Sequence, residues 1–120
     1  DPSLKMGVYR RLASATALEE IDELADELAD RFGAMPGPVE NLLERHRLRV
    51  LASRHGIRYI ARRKDFLLVK FADPSLIHKL FAGTSYTARI IDAETMHLHL
   101  PPRTTATQQI VLFLRTVLSK

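Results

Sequence analysis

Between Thr16 and Phe32 apolar positions recur with the period of a helix. At about 100° per residue Leu18, Ile21, Leu24, Ala25, Leu28, Ala29 and Phe32 fall on one side. The other side is filled by Glu19, Glu20, Asp22, Glu23, Asp26, Glu27 and Asp30. Thr16 followed three residues later by Glu19 has the form of a capping box, and Gly33 stands where a helix-ending glycine belongs. Before this helix, Leu4, Val8 and Leu12 are in register for a short helix over residues 4–14. After it, Ala34-Met35-Pro36-Gly37 makes a tight connection, and Pro38 suits the first position of a third helix that Gly56 closes. The buried side of that helix is expected to be Val39, Leu42, Leu43, His46, Val50 and Leu51.

From Ile57 the period shortens to two. Ile57–Arg62 and Phe66–Phe71 read as strands joined by a hairpin at Arg63-Lys64-Asp65. Asp73-Pro74 opens a helix through about Ala82 that should bury Leu76, Ile77, Leu80 and Phe81. Tyr86–Ile91 and Thr95–Leu100 form a second strand pair, and Thr104 or Thr105 opens a last helix carrying Ile110, Val111, Leu114, Val117 and Leu118. The expected fold is α+β: an N-terminal helical hairpin, then a small antiparallel sheet in ββαββα order with helices packed on it. One domain over residues 1–120 is expected, with residues 1–15 ending a connecting helix, 16–56 forming the acidic and basic helices, and 57–120 the ββαββα part.

Charge changes this picture more than composition does. With 46% hydrophobic and 27% charged residues the chain reads as a globular domain. Its net charge of +4 is segregated. Residues 1–33 carry four basic and eight acidic side chains, residues 34–64 eight and two, and residues 65–120 six and four. Seven of the fourteen carboxylates lie between Glu19 and Asp30. Only Glu27 and Arg31 attract at i, i+4, whereas Glu19/Glu23, Asp22/Asp26, Glu23/Glu27 and Asp26/Asp30 repel. Acids in the last turns also oppose the helix dipole. The plainest account of the segregation is packing of the acidic helix near the basic one.

Candidate chemistry is sparse. The chain has no cysteine, which excludes disulfides and thiolate ligands and suits the cytosol. The opening residues resemble no signal peptide, and the missing initiator Met fits a piece of a longer protein. No phosphate-binding glycine loop, nucleophile elbow or zinc-helix motif occurs. His97 and His99 share a strand face but lack a third ligand, so no metal site is expected. No catalytic residue is assigned. Arg45, Arg49, Arg54, Arg62, Arg63 and Lys64 form the best candidate nucleic-acid contact, although only Tyr59 supplies an aromatic ring within that stretch.

Tyr9-Arg10-Arg11-Leu12-Ala13-Ser14-Ala15, then Asp30-Arg31-Phe32-Gly33 and Met35-Pro36-x-Pro38, together resemble the C-terminal domain of the bacterial transcription-repair coupling factors (Mfd). Leu42-Leu43, Leu48-Arg49 and His55-Gly56-Ile57 extend the likeness to about residue 72. The resemblance implies a non-catalytic regulatory module of a cytoplasmic, ATP-driven DNA translocase that displaces stalled RNA polymerase and recruits the repair protein UvrA. ATP and Mg would belong to the upstream motor, so no cofactor is expected here. In that family the domain docks on a UvrB-like N-terminal module, hides the UvrA-binding surface and restrains the motor. The resemblance assigns the docking acids to Glu27 and Asp30, with Glu23 and Asp26 beside them, and their partners to arginines of the UvrB-like module. The alternative reading is a nucleic-acid-binding accessory domain that uses the Arg45–Lys64 stretch on duplex DNA. No membrane or small-molecule partner is implied.

Overall fold

The computed structural model describes residues 2–84, 86–102 and 106–120, with side chains from residue 5 onward. In chain order the elements are α1 (Pro2–Ser14), α2 (Leu18–Phe32), α3 (Gly37–Arg54), β1 (Ile57–Arg62), β2 (Phe66–Phe71), α4 (Pro74–Phe81), β3 (Thr87–Asp92), β4 (Thr95–His99) and α5 (Thr107–Leu118). They form two compact units, residues 1–50 and residues 51–120. No helix among the described residues is long and apolar enough to cross a membrane.

In the first unit the amphipathic pattern of α2 closes a three-helix core. Leu12, Ala15, Ile21, Leu24, Ala25, Leu28, Leu43 and Val50 are buried together, with Val8, Leu18, Met35, Val39 and Leu42 packed against them. The C-terminal end of the expected apolar stripe differs: Ala29 is exposed and Phe32 is 60% exposed, because the core has run out where the helix stops. The expected capping box also shifts. Ala17, extended at φ −131°, takes the cap position without a side-chain bond, and Glu20 rather than Glu19 reaches back to the Thr16 amide and hydroxyl (3.4 and 3.2 Å). The cause is local: Ala15 is buried and its N–H turns back to the Leu12 carbonyl, which moves the helix start one residue on. Gly33 ends α2 as expected, at φ 77°, its N–H donating to the Ala29 carbonyl at 2.8 Å. Gly37, rather than Pro38, opens α3. The expected Leu4 contact lies outside the described side chains.

The second unit is a four-stranded antiparallel sheet in the order β1-β2-β4-β3. Register pairs Val69 with Ile60 and with Met96, and Leu67 with Leu98, so Leu67, Val69, Phe71, Met96 and Leu98 share one face. All five are essentially inaccessible, as are Ile77, Phe81, Ile110, Leu114, Val117 and Leu118 of the two helices that cover that face. Asp73 caps α4, accepting from the Ser75 amide at 2.9 Å. A bond from the Ser75 hydroxyl, and after it this one from the amide, holds the Asp73 carboxyl below the ordinary carboxylate range. Leu76, expected to be buried, is 50% exposed, because the helix turns it about 100° from Ile77. Tyr86 stacks on Phe113 at 3.5 Å, and burial pushes its phenol pKa up. The expected opening of the last helix at Thr104 or Thr105 lies outside the described residues; α5 is entered from Ala106.

Candidate docking site on the acidic helix

Helical geometry divides the acids of α2, apart from Glu20 at the cap, into three groups. Asp22 lies on the flank toward α3, where Arg47 reaches it with Nε and Nη2 at 3.1 Å; Arg47 also pairs with Glu44 at 3.3 Å. Glu27 lies on the flank toward α1. The Arg11 guanidinium meets it as a fork, Nη1 to Oε2 at 2.5 Å and Nη2 to Oε1 at 3.1 Å. That hydrogen bond holds the Glu27 carboxyl below the ordinary range, and raises the Arg11 pKa in turn. Glu23 lies within the field of the same Arg11. Glu19, Glu23, Asp26 and Asp30 form the outward ridge, opposite the buried Ile21–Leu24–Leu28 side, and all four are exposed. Asp26 and Asp30 make no hydrogen bond or salt bridge among the described residues.

The four carboxylates that the sequence singles out therefore do not share one surface role. Glu23, Asp26 and Asp30 face outward together, while Glu27 is already bound to Arg11 on a helix flank. The segregation of charge is satisfied in part by self-complementary packing, as the Arg47–Asp22 bond shows.

The basic residues also separate. Arg45 and Arg49 belong to the first unit, and Arg54, Arg62, Arg63 and Lys64 to the second. Arg49 is structural: its Nη2 donates to the Leu12 and Ala15 carbonyls at 2.8 and 3.2 Å, closing the end of α1. The same guanidinium lies 3.4 Å from His46 Nδ1. Burial, then the charges of Arg49 and Arg45, hold the His46 pKa below the ordinary imidazole value. His55, directly after the end of α3, bonds the last turn of α5, with Nε2 2.8 Å from the Leu118 carbonyl. Arg62 donates to the Thr107 hydroxyl at 3.1 Å. Arg45, Arg54, Arg63 and Lys64 are exposed.

One cluster escapes sequence reasoning. On the sheet face opposite the core, the Phe66 ring stacks on His97 at 4.1 Å and lies 5.6 Å from His99. The pairing of β2 with β4 brings these rings together across about thirty residues of chain. The available signal was the alternation Phe66-x-Leu68 and His97-x-His99, which places large side chains on the polar phase of both strands. No group of three or more metal-binding side chains occurs among the described residues.

Fold and surface together define a small α+β domain whose described residues display an acidic ridge and a ring cluster. Residues 1–79 match the family model of the TRCF domain. The chain belongs to the transcription-repair coupling factor family. It is 35% identical over 78 residues to the transcription-repair-coupling factor of Escherichia coli (strain K12), an alignment covering 65% of this chain and 7% of that protein. Against the Mycobacterium bovis transcription-repair-coupling factor it is 44% identical over 54 residues, which cover 45% of this chain and 4% of the relative. The chain thus spans a small fraction of the curated relatives it matches. A crystal structure of the C-terminal domain of a transcription-repair coupling factor superposes over 99% of this chain and 81% of that one, with a TM-score of 0.75 at 19% identity. That likeness extends the fold through the sheet, beyond the residues the family model covers.

Proposed function

We propose that this domain is the regulatory module of a transcription-repair coupling factor, held as a clamp on the UvrB-like module of the same protein through the outward ridge of α2. Docked, it covers the UvrA-binding surface and restrains an ATP-driven motor that displaces stalled RNA polymerase from duplex DNA. The observation that carries this reading is the unneutralised ridge. Asp26 and Asp30 repel each other one helical turn apart and have no basic partner among the described residues, whereas acids on both flanks of the same helix do. Arginines arriving from a partner relieve that repulsion on docking. Exposed ion pairs are individually weak, which suits a contact that has to open. A coupling of about 3 kcal/mol leaves the closed form roughly a hundredfold over the open one.

The discriminating variant is Asp26→Arg with Asp30→Arg. Glu27→Arg would set two arginines together beside α1 and so test folding as much as docking. In the full-length protein the double variant is expected to raise both UvrA binding and ATPase rate, while its domain keeps the wild-type circular dichroism spectrum. Unchanged UvrA binding and ATPase rate at low salt would overturn the assignment.

A further inference from the structure

We propose that the open face of the sheet in residues 51–120 binds single-stranded nucleic acid, with Phe66, His97 and His99 as its stacking surface. The site is separate from the acidic ridge and does not depend on the clamp. It rests on where the rings stand. The sheet has one face packed under α4 and α5, and folding places no demand for aromatic side chains on the other. Yet β2 and β4 put Phe66, His97 and His99 on that outer face in mutual contact, each only partly buried. Tyr59, paired with Lys70, stands on the same face and is 52% exposed. Adjacent strands are about 4.8 Å apart, and same-face neighbours along a strand about 7 Å, which spaces rings for splayed, unstacked bases.

Charge selects nucleic acid over an apolar peptide. Arg89 lies directly across from His97 in the β3–β4 register and is exposed at the sheet edge. At the β1–β2 turn, the end of the sheet nearest Phe66, Arg63 and Lys64 precede Asp65. Asp92, the one carboxylate in β3, and Glu94 in the following turn lie at the opposite end of the sheet, where Asp92 pairs with Thr95 and its oxygen accepts from the Glu94 amide at 2.9 Å. A chain of phosphates can meet Arg89 on β3, or Arg63 and Lys64 at the β1–β2 turn, while its bases reach the rings. In a duplex the bases are already stacked on each other and cannot reach a flat sheet. Base–aromatic stacking is tolerant of sequence, so no sequence preference follows.

Fluorescence anisotropy of the whole 120-residue chain tests this, using fluorescein-labelled oligothymidine DNA and oligouridine RNA of about 12 nucleotides, and a DNA duplex of the same length. Single strands are expected to bind at least about tenfold more tightly than the duplex, the tighter of DNA and RNA marking the natural strand. Phe66→Ala and His97→Ala should each weaken binding about fivefold or more, and His97→Phe, which keeps a ring, should retain it. Arg89→Glu should weaken binding and flatten its salt dependence. Circular dichroism and urea melts of each variant separate loss of the site from loss of the fold. Duplex binding as tight as single-strand binding, full binding by folded Phe66→Ala, or no binding at low salt would overturn the proposal.

Discussion

The outward ridge of α2 and the open face of the sheet both lie opposite a packed apolar core, and they are built from contrary chemistry. The ridge is a single-sign array of short carboxylates with no ring among them; the sheet face is a ring cluster with Arg89 across from it on β3. On the ridge every neighbour is three or four residues away in sequence, so the surface is written locally. On the sheet the contacting side chains sit on strands separated by α4 and β3 and meet only through pairing. On the two proposals above, the faces suit different partners: the ridge suits arginines, and the sheet face suits phosphates that meet Arg89, Arg63 and Lys64.

The largest expected effect tests whether the sheet really has one structural face and one free one. Phe71 and Phe66 belong to the same strand on opposite phases, the first with no accessible surface and the second partly exposed. Phe71→Ala should cost about 3–5 kcal/mol through lost burial and a residual cavity. Phe66→Ala should cost roughly 1 kcal/mol, the range of a half-exposed side chain. Urea midpoints of the two variants check this. Equal costs would make Phe66 a core residue and remove the distinction on which the open face rests.

A smaller effect separates structural from displayed cations in the basic stretch. Arg49→Ala removes charge-assisted bonds to the two carbonyls that end α1 and should cost about 1–2 kcal/mol. Arg45→Ala, on the same helix but exposed, should change stability by less than about 0.5 kcal/mol. Urea unfolding of the pair measures the difference. Equal costs would mean that Arg49 holds nothing the solvent cannot replace.

Much of the fold was legible because its information is local. The helix period in Leu18–Leu28, the stop at Gly33, the cap at Asp73 and the change to a period of two at Ile57 each depend on residues within a few positions. The errors occur where the deciding contact comes from elsewhere. Phe32 and Leu76 carry apolar side chains in helical register, yet neither meets a partner that excludes water. The N-terminus of α2 moved because Ala15 is committed to the core, a fact absent from the capping pattern. Glu27 looked like its neighbours until the approach of Arg11, sixteen residues earlier, bound it. The ring cluster was invisible for the same reason: strand order places β4 beside β2, and a linear reading of the basic stretch found Tyr59 alone.

The smallest expected effect bears on the ridge itself. If its acids are kept for a partner, removing one should help the isolated domain and harm the docked one. Asp30 repels Asp26 at i, i+4 and lies in the last turn, where the helix dipole opposes an anion. Asp30→Lys reverses both terms. It sets an acid four residues ahead of a lysine, the favourable order, and a cation near the C-terminus. The isolated domain should gain a few tenths of a kcal/mol, read as a small rise in its thermal midpoint. The same variant should lose affinity for the UvrB-like module, most clearly at low salt, where ion pairs are least screened. A gain in stability with undiminished docking would leave the ridge as a solvated face. A loss of stability would mean that Asp30 has a partner within the fold, and that the unneutralised ridge is smaller than its four acids suggest.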